Sequence, residues 1–544
     1  MTHNQHIITG QYLANQFGAG PKKWTSLEHN GVLFPPEYIP HKIPVLYNGN
    51  QIELEPAAEE TATLYAKFIE SDYIKDTTFR RNFWNDWKKI LGKGSPIESL
   101  ENCDFKLIYN HLLQLKEANR QGSKLGVKEK QDVEKYKTAV VDGKVQPVGN
   151  FRIEPPGIFL GRGCSPNLGK IKFRTYPEDI TINIGKGVND PEIPDFLNGH
   201  KWGEIIHNQY VEWLASWKDN ITGKTKYVWL GVHSDFKANS DMEKFDLARK
   251  LKKKIKMIRA KNELELDSDD KKMKQCATAL YFIDKFALRV GNEKGEGETD
   301  TVGVTSLRVE HVQLLEDNKI KLDFLGKDSV RYLRVLSVDQ KIHDNIKLFI
   351  TNKDFDDQVF DLINSSDINS YLKSYMKDLT AKCFRTFNAS YVFQKHLSKV
   401  TAKYENYNET DKINLLLDEF NKANLHIAQI CNHQKNVNKS NVKQIDTINK
   451  SIKLAKKQLK NAKKKKDPIK IEEIKQKIKR LKAKKEMKIE MKNLSVGTSK
   501  TNYIDPRITV AFMKKHNVPI DKIFPKTLQD KFKWAMDADE SFKF

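Results

Sequence analysis

The sequence has few cysteines, and their arrangement excludes two kinds of site. Only five cysteines are spread over 544 residues, and none of them forms a Cys-x-x-Cys pair. An odd number of distant cysteines is not the pattern of a disulfide-stapled secreted domain. Structural zinc sites also use closely spaced pairs, so none is indicated. The cysteine pattern therefore favours a reducing compartment.

Long apolar runs and targeting segments are also missing. No window reaches the roughly 18 to 20 consecutive apolar residues of a transmembrane helix. The opening run MTHNQHIITGQYLANQFGAG lacks the charged and apolar regions of a signal peptide, and it lacks the arginines of a transit peptide. We therefore expect neither secretion nor membrane insertion.

Nucleotide-binding and metal-binding motifs are absent from the sequence as well. Gly223-Lys224-Thr225 resembles the end of a phosphate-binding loop, but Lys218 stands where that motif requires a glycine. No carboxylate cluster has an obvious metal-ligand spacing. The sequence therefore predicts no cofactor and no metal site.

Positive charge is the main feature that is present. The chain has 94 Lys and Arg against 71 Asp and Glu, a formal net charge of +23, and a pI of about 9.4. Residues 435–492 hold 22 Lys and Arg but only 6 Asp and Glu, and so carry +16 of that charge. This excess of positive charge predicts a polyanionic partner. Nucleic acid fits better than a membrane surface, because no strongly amphipathic anchor is obvious.

The chain is long enough for several folding units, and its patterns change along its length. Short strand signals mixed with helical stretches occur in the N-terminal part of the chain. The part that follows has mainly helical periodicity. We therefore predict an α+β multidomain protein. The predicted parts are a disordered tail (1–24), a mixed α/β region (25–233), a mainly helical region (234–434), a basic coiled-coil linker (435–493) and a C-terminal domain (494–544).

The basic linker has a heptad pattern. Its apolar residues repeat at spacings of three and four, and Asp467-Pro468 interrupts the pattern because proline cannot continue a helix. This pattern predicts an antiparallel helical hairpin with a thin apolar seam, although a charged stretch is often just a solvated face. The seam positions are Ile445, Ile448, Ile452, Ala455, Leu459 and Ala462 before the break, and Ile471, Ile474, Ile478 and Leu481 after it.

Local patterns in the mainly helical region predict two helices and a β-hairpin. The runs IKLDFL and VRYLRVL alternate around Gly326-Lys327-Asp328, so Lys327 is expected at or beside the tip of a hairpin. One helical face is predicted from Met273, Cys276, Leu280, Ile283, Ala287 and Val290, and another from Ile413, Leu417, Phe420, Ala423, Ile427 and Ile430.

A tyrosine near the C-terminus has the surroundings of a DNA-cleaving nucleophile. Tyr503 lies in the run SKTNYIDPR, directly after the basic linker. Strand cleavage by transesterification needs a nucleophile, positive charge at the phosphate and a proton for the leaving oxygen. A tyrosine of pKa about 10 needs nearby cations to lose its proton. Arginine suits the phosphate oxygens because its planar fork binds two at once.

Four further short runs with candidate catalytic residues precede this tyrosine. Together the five runs resemble the active-site motifs of eukaryotic type IB DNA topoisomerases. The four are ALRVGN with Arg289, FLGKD with Lys327, TAKCFR with Arg385 and CNHQ with His433.

The resemblance implies a role for each of these residues. It implies that Tyr503 attacks the phosphodiester and becomes linked to the 3′ phosphate, and that Lys327 in the minor groove gives a proton to the 5′ oxygen. It also implies that Arg289, Arg385 and His433 hold the non-bridging oxygens. Residues implied to contact DNA or to support the site are Arg162, Asp328, Lys382 and Asn502.

A further resemblance lies in the run EPPGIFLGRG, which looks like the family's loop near the cut site. Arg162 would face DNA there. Leu160 stands where an arginine is expected, which changes the local contacts. We expect the long charged N-terminal tail common in the family to be absent.

The resemblance also implies an architecture and an activity. The 25–233 region would be a cap that clamps duplex DNA, and the 234–434 region would be a catalytic core related to tyrosine recombinases. The enzyme would nick one strand, allow rotation and reseal, relaxing supercoils of both signs without ATP or metal. It would act as a monomer on double-stranded DNA in the nucleus.

Two other readings stay open. A tyrosine recombinase uses the same residue types, but it should lack the large cap and the basic hairpin. A non-catalytic basic protein would bind DNA and never form a covalent adduct. Each residue alone also has an ordinary explanation, since His433 could be a helix C-terminal cap and Tyr503 a packing residue. The order of all five motifs favours the enzyme.

Overall fold

The fold consists of two units. The computed structural model describes residues 22–121, 133–161, 163, 165–292, 294–295, 298–407, 411–434, 439–464, 467–490 and 494–544. Unit 1 comprises the chain up to Asn239 together with Gly295–Thr299, and unit 2 comprises Ser240–Lys294 and Asp300–Phe544. The tail expected over 1–24 falls almost entirely outside the described residues, and the domain bounds stay predictions.

The described residues of unit 1 form four small β-sheets. Their strand orders are β1-β5-β6, β3-β2-β4, β7-β8 and β10-β9-β11-β12, and all neighbours are antiparallel except β9 and β10. The strands are β1 Leu27–His29, β2 Val45–Tyr47, β3 Asn50–Ile52, β4 Cys103–Asp104, β5 Thr138–Val141, β6 Lys144–Pro147, β7 Gly157–Ile158, β8 Ile171–Lys172, β9 Ile180–Asn183, β10 Glu204–Ile206, β11 Trp213–Lys218 and β12 Thr225–Trp229.

The helices of unit 1 are α1 Pro56–Ala66, α2 Thr77–Leu91 and α3 Lys106–Gln121. Helix α2 begins after Asp76, whose carboxylate accepts hydrogen bonds from two amides of the first turn. One face of α2 is aromatic and fully buried, with Phe79, Phe83 and Trp87 spaced four residues apart. This face holds the helices of unit 1 in one apolar cluster.

Unit 2 is mainly helical, and its described residues form one three-stranded antiparallel sheet. The strands are β13 Val312–Leu315, β14 Lys319–Gly326 and β15 Val330–Ser337. Helix α4, Asp235–Glu265, starts at the end of unit 1. The other helices are α5 Lys271–Phe286, α6 Gln340–Ile350, α7 Ser365–Tyr375, α8 Ala381–Tyr404, α9 Lys412–Ile430, α10 Lys439–Lys464, α11 Pro468–Glu490, α12 Val496–Asn502, α13 Pro506–Lys515 and α14 Lys526–Lys531. The α+β class predicted from the sequence is confirmed.

One apolar core runs through unit 2. Helix α8 lies in it with its phenylalanines Phe384, Phe387 and Phe393 almost fully buried. The C-terminal segment contributes Phe524 and Phe532 to the same core. The segment that carries Tyr503 is therefore packed into the body of unit 2 rather than appended to it.

Helices α10 and α11 form the predicted helical hairpin. Lys488, near the end of α11, donates a hydrogen bond of 3.0 Å to Gln444, near the start of α10. The two helices therefore run antiparallel. The seam residues Ile448, Ile452 and Ala455 are buried, whereas Leu454, outside the heptad pattern, is exposed. Within the described part of the chain, no helix has both the length and the apolar character needed to cross a bilayer.

Candidate active site

Tyr503 is the first residue after α12 and is only 7% exposed. Its amide donates to the carbonyl of Ser499 at 3.0 Å, which completes the last turn of the helix. The hydroxyl of Ser390 on α8 donates to the carbonyl of Tyr503 and accepts from the amide of Asp505, both at 3.0 Å. The chain on both sides of the tyrosine is therefore tied to α8.

Arg289 lies just beyond the end of α5. The helix was predicted to continue through Ala287 and Val290, and this is wrong: it ends at Phe286, and Ala287 adopts a left-handed conformation. The reason is a long-range pairing, because the carbonyl of Arg289 accepts from the amide of Val304 at 2.9 Å. These contacts turn the arginine out of the helical register.

Two glycines allow this pairing. Gly291 has a φ of 94°, which is strained for other residues. A Cβ on Gly303 would collide with the backbone of Gly291 and lie 2.9 Å from the carbonyl oxygen of Arg289. The backbone that carries Arg289 can therefore approach so closely only because both positions are glycine.

Arg385 joins the ends of two helices. It lies in the first turns of α8 and is 4% exposed. One terminal nitrogen donates to the carbonyl of Ala287, and the other donates to the carbonyl of Cys431 at 3.0 Å. Since α5 ends just before Ala287 and α9 just before Cys431, this guanidinium fixes the segments that carry Arg289 and His433.

His433 follows α9 and is buried beside the tyrosine. Its ring centroid lies 5.0 Å from that of Tyr503. Its Nε2 lies 3.3 Å from a terminal nitrogen of Arg385, and its Nδ1 lies 2.7 Å from the hydroxyl of Ser499. Its carbonyl accepts from the amide of Ser495 at 2.6 Å, so His433 is also attached to the segment that leads to Tyr503.

The two arginines change the acidity of their neighbours. Burial by itself raises the pKa of Tyr503, but the guanidiniums of Arg385 and Arg289 outweigh it and hold that pKa below its ordinary value. One nitrogen of Arg289 lies 3.3 Å from the phenol oxygen, and the guanidinium carbon of Arg385 lies 5.1 Å from the ring centroid. Burial and the same two charges lower the pKa of His433 to about 3, so its imidazole is neutral near pH 7.

Lys327 lies at the tip of the β14–β15 hairpin, as predicted. Gly326 pairs with Val330, and the turn between them places Asp328 at a φ of 65°. Both Lys327 and Asp328 are exposed. A cleft of about 370 Å³ brings Lys327 to the same surface as Arg289, Arg385, Tyr503, Lys294 and Lys382. This concentration of cations around a phenol is suited to a phosphodiester.

The remaining predicted residues lie in different places. Lys382 is exposed on the wall of the cleft, and Asn502 is exposed at the end of α12, next to the tyrosine. Arg162 lies outside the described residues. Leu160, which replaces an expected arginine, packs against the apolar cluster of unit 1.

Sequence reasoning missed two serines that hold the site together. Ser499 lies one helical turn before Tyr503, and this spacing of four was the only signal for it. Ser390 had no signal, because its contacts are to residues more than 110 positions away. Among the described residues, no cluster of three or more His, Cys, Asp or Glu side chains could hold a metal ion.

Three family models match the chain. The model of the eukaryotic DNA topoisomerase I catalytic core matches residues 233–466, and that of the DNA binding fragment matches residues 22–230. The C-terminal topoisomerase domain matches residues 475–544. The range matched by the catalytic core model includes Arg289, Lys327, Arg385 and His433, and the range matched by the C-terminal model includes Tyr503.

Curated relatives match over nearly the whole chain. DNA topoisomerase 1 alpha of Arabidopsis thaliana is 44% identical, over 100% of this chain and 62% of its own length. DNA topoisomerase 1 of Caenorhabditis elegans is 41% identical, over 96% of this chain and 68% of its own length. The Homo sapiens protein of the same name is 40% identical, over 96% of this chain and 72% of its own length. The chain spans 62% and 60% of the length of the two Arabidopsis relatives.

Proposed function

The chain belongs to the eukaryotic DNA topoisomerase I family, and from this premise we propose that it relaxes supercoiled DNA by cutting and resealing one strand. The observation that supports this most directly is the buried phenol of Tyr503, with Arg289 at 3.3 Å and Arg385 over its ring. A phenol held between two guanidiniums is poised to become a phenolate and to meet a phosphate.

The reaction is a pair of transesterifications. The phenol oxygen of Tyr503 attacks the phosphorus and loses its proton to water. A bond forms between tyrosine and the 3′ phosphate while the bond to the 5′ oxygen breaks, and Lys327 supplies the proton that this oxygen takes up. Religation is the reverse. Because the phosphotyrosyl bond keeps the energy of the broken bond, religation requires no ATP. We also expect the reaction to proceed without a metal ion.

Arg289, Arg385 and His433 stabilise the negative charge that builds up on the phosphate. Arg385 supports this role because its hydrogen bonds to Ala287 and Cys431 fix the guanidinium before DNA arrives. Donors that are already oriented need not reorganise during the reaction, which makes their stabilisation of the transition state large. Asp328, Lys382 and Asn502 would support the site or contact the DNA backbone from the exposed rim.

Double-stranded DNA is the proposed partner, and we expect the protein to act as a monomer in the nucleus. The match of residues 22–230 to a DNA binding fragment supports the partner. The net charge of +23 supports binding dominated by phosphate contacts, so affinity should fall steeply with salt and depend little on sequence. The 25–233 region and the α10–α11 hairpin would then contact the duplex outside the cleavage site.

The test is relaxation of positively and negatively supercoiled plasmid in EDTA without ATP. The wild-type protein should relax both signs and leave a covalent adduct after denaturation during the reaction. Tyr503→Phe should bind DNA normally and do neither, whereas Tyr391→Phe, a change at an exposed tyrosine of α8, should behave as wild type. Relaxation that persists in Tyr503→Phe would reject the nucleophile. Strand exchange between two labelled duplexes would point instead to a recombinase.

A further inference from the structure

The imidazole of His433 is held at both nitrogens by buried groups. The hydroxyl of Ser499 lies 2.7 Å from Nδ1, and the guanidinium of Arg385 lies 3.3 Å from Nε2. Ser499 is 0% exposed, His433 is 5% exposed and Arg385 is 4% exposed. With so little solvent access, the proton on this ring is governed by its two neighbours rather than by bulk water.

These neighbours determine the tautomer in the protein without DNA. A guanidinium only donates and does not lose its proton, so Nε2 must accept from Arg385. The lowered pKa leaves a single proton on the ring near pH 7. That proton is therefore on Nδ1, and it is donated to the oxygen of Ser499.

The proposed reaction needs the other tautomer. A non-bridging phosphate oxygen is only an acceptor, so His433 can hold it only if Nε2 carries the proton. One proton must then leave Nδ1 and one must arrive at Nε2, both exchanged with water, so that the charge of the ring does not change. Nδ1 becomes an acceptor and needs a donor. A hydroxyl can donate as well as accept, so Ser499 can turn its proton toward Nδ1 without moving its oxygen.

We propose that Ser499 is a positioning residue for His433, whose hydroxyl accepts from Nδ1 in the free protein and donates to Nδ1 when the phosphate is bound. This inference rests on the proposed function. The backbone of Ser499 has a separate task, since its carbonyl accepts from the amide of Tyr503 at 3.0 Å. A substitution of the Ser499 side chain can therefore remove or retain the hydroxyl while that backbone contact stays possible.

The first test reads the tautomer directly. In protein with 15N-labelled histidine, long-range proton–nitrogen spectra should show His433 protonated at Nδ1 without DNA. The Tyr503→Phe protein bound to an uncut duplex should show it protonated at Nε2. The signal is assigned by its loss in His433→Asn. An Nε2-protonated or doubly protonated ring in the free protein, or no change on binding, would overturn the inference. This readout requires no relaxation activity.

The second test separates the hydroxyl from the fold. Ser499→Ala should slow single-turnover cleavage about tenfold with DNA affinity unchanged, because one oriented hydrogen bond is lost. Ser499→Thr keeps a hydroxyl and should recover the rate. Thr386→Val on α8 is the matched control, since that hydroxyl is also fully buried but has no partner in the described part of the chain.

The outcomes of this second test are distinct. Normal cleavage by Ser499→Ala overturns the inference, whereas absence of cleavage by the wild-type protein overturns the proposed function instead. If the extra methyl group of Ser499→Thr prevents folding, the tautomer of His433 in the spectra of the first test decides whether the inference holds.

Discussion

The phenol oxygen of Tyr503 lies 3.3 Å from a guanidinium nitrogen of Arg289, although the two residues are 214 positions apart in the chain. Tyr503 is anchored through Ser390 on α8, and Arg289 through the pairing of its carbonyl with Val304. Two separate hydrogen bonds to the backbone, one at Tyr503 and one at Arg289, therefore hold the nucleophile and the cation close together. Both the anchors and the charges can be tested by substitution.

Removing the guanidinium of Arg289 should raise the pKa of Tyr503 and slow cleavage. The phenolate loses one of the two charges that offset its burial. By analogy with the loss of one preorganised donor, we expect the cleavage rate of Arg289→Ala to fall about 100- to 1,000-fold. Single-turnover cleavage measures the rate, and difference absorbance against Tyr503→Phe measures the ionisation. Arg308→Ala, which removes an ion-paired arginine, should cleave almost normally, and equal losses in both variants would contradict the role of Arg289.

Arg385→Ala should differ from Arg289→Ala in its effect on stability. Both variants should lose cleavage, but Arg385 also binds the carbonyls of Ala287 and Cys431. Each buried carbonyl left without a donor costs about 1–3 kcal/mol. The free energy of unfolding in urea should therefore drop by at least about 2 kcal/mol in Arg385→Ala and hardly change in Arg289→Ala. Similar unfolding curves for the two variants would rule out a structural role for Arg385.

His433 should make the protein less stable in mild acid. Its pKa is about 3 in the folded protein and about 6.5 in an unfolded chain. Between these values the unfolded chain binds a proton that the folded protein does not, so stability falls as pH falls from about 6.5 toward 3. The slope from this one residue is at most about 1.4 kcal/mol per pH unit. His433→Asn should flatten urea-unfolding free energies across this window, and curves parallel to wild type would contradict the prediction.

Gly303→Ala should misplace Arg289. The new methyl group would meet the backbone of Gly291 and the carbonyl of Arg289, so we expect a loss of about 1–3 kcal/mol in stability. A displacement of about 1 Å should also slow cleavage about 100-fold. Gly497→Ala on α12 is the control, because its Cβ would meet no atom within 4 Å and alanine favours a helix. The expectation fails if the two variants cleave equally fast.

Removing the α10–α11 hairpin should preserve the chemistry. Gln434 and Leu494 form an antiparallel bridge, so a short Gly-Ser linker can join them in place of the hairpin. The shortened protein should still cleave, but the slope of log affinity against log salt should shrink by about 0.9 for each lost phosphate contact.

Replacing exposed lysines on α10 by glutamine should produce part of the same change in salt dependence while the seam stays intact. The lysines to replace are Lys453, Lys456, Lys457 and Lys460. A shortened protein that does not fold would instead show that the hairpin is structural.

Elements with a strong local pattern could be predicted from the sequence. The seam of the α10–α11 hairpin follows from heptad spacing and Pro468, and the β14–β15 hairpin follows from alternation around Gly326. Both depend on residues close in the chain, where periodicity carries the information. The end of α5 was predicted wrongly, because apolar spacing continues through Val290 while hydrogen bonds from a segment 15 residues later pull the chain out of the helix.

The sequence by itself determined the residue types of the site, their order, the positive charge and the family, because all of these are read along the chain. Only the tertiary structure decided that Arg385 binds the carbonyl that precedes the Arg289 segment, that Ser390 holds Tyr503 and that Ser499 meets His433. These contacts join residues 66 to 113 positions apart. No spacing rule encodes such pairs, since they arise when buried polar groups in a packed core find the partners that burial demands.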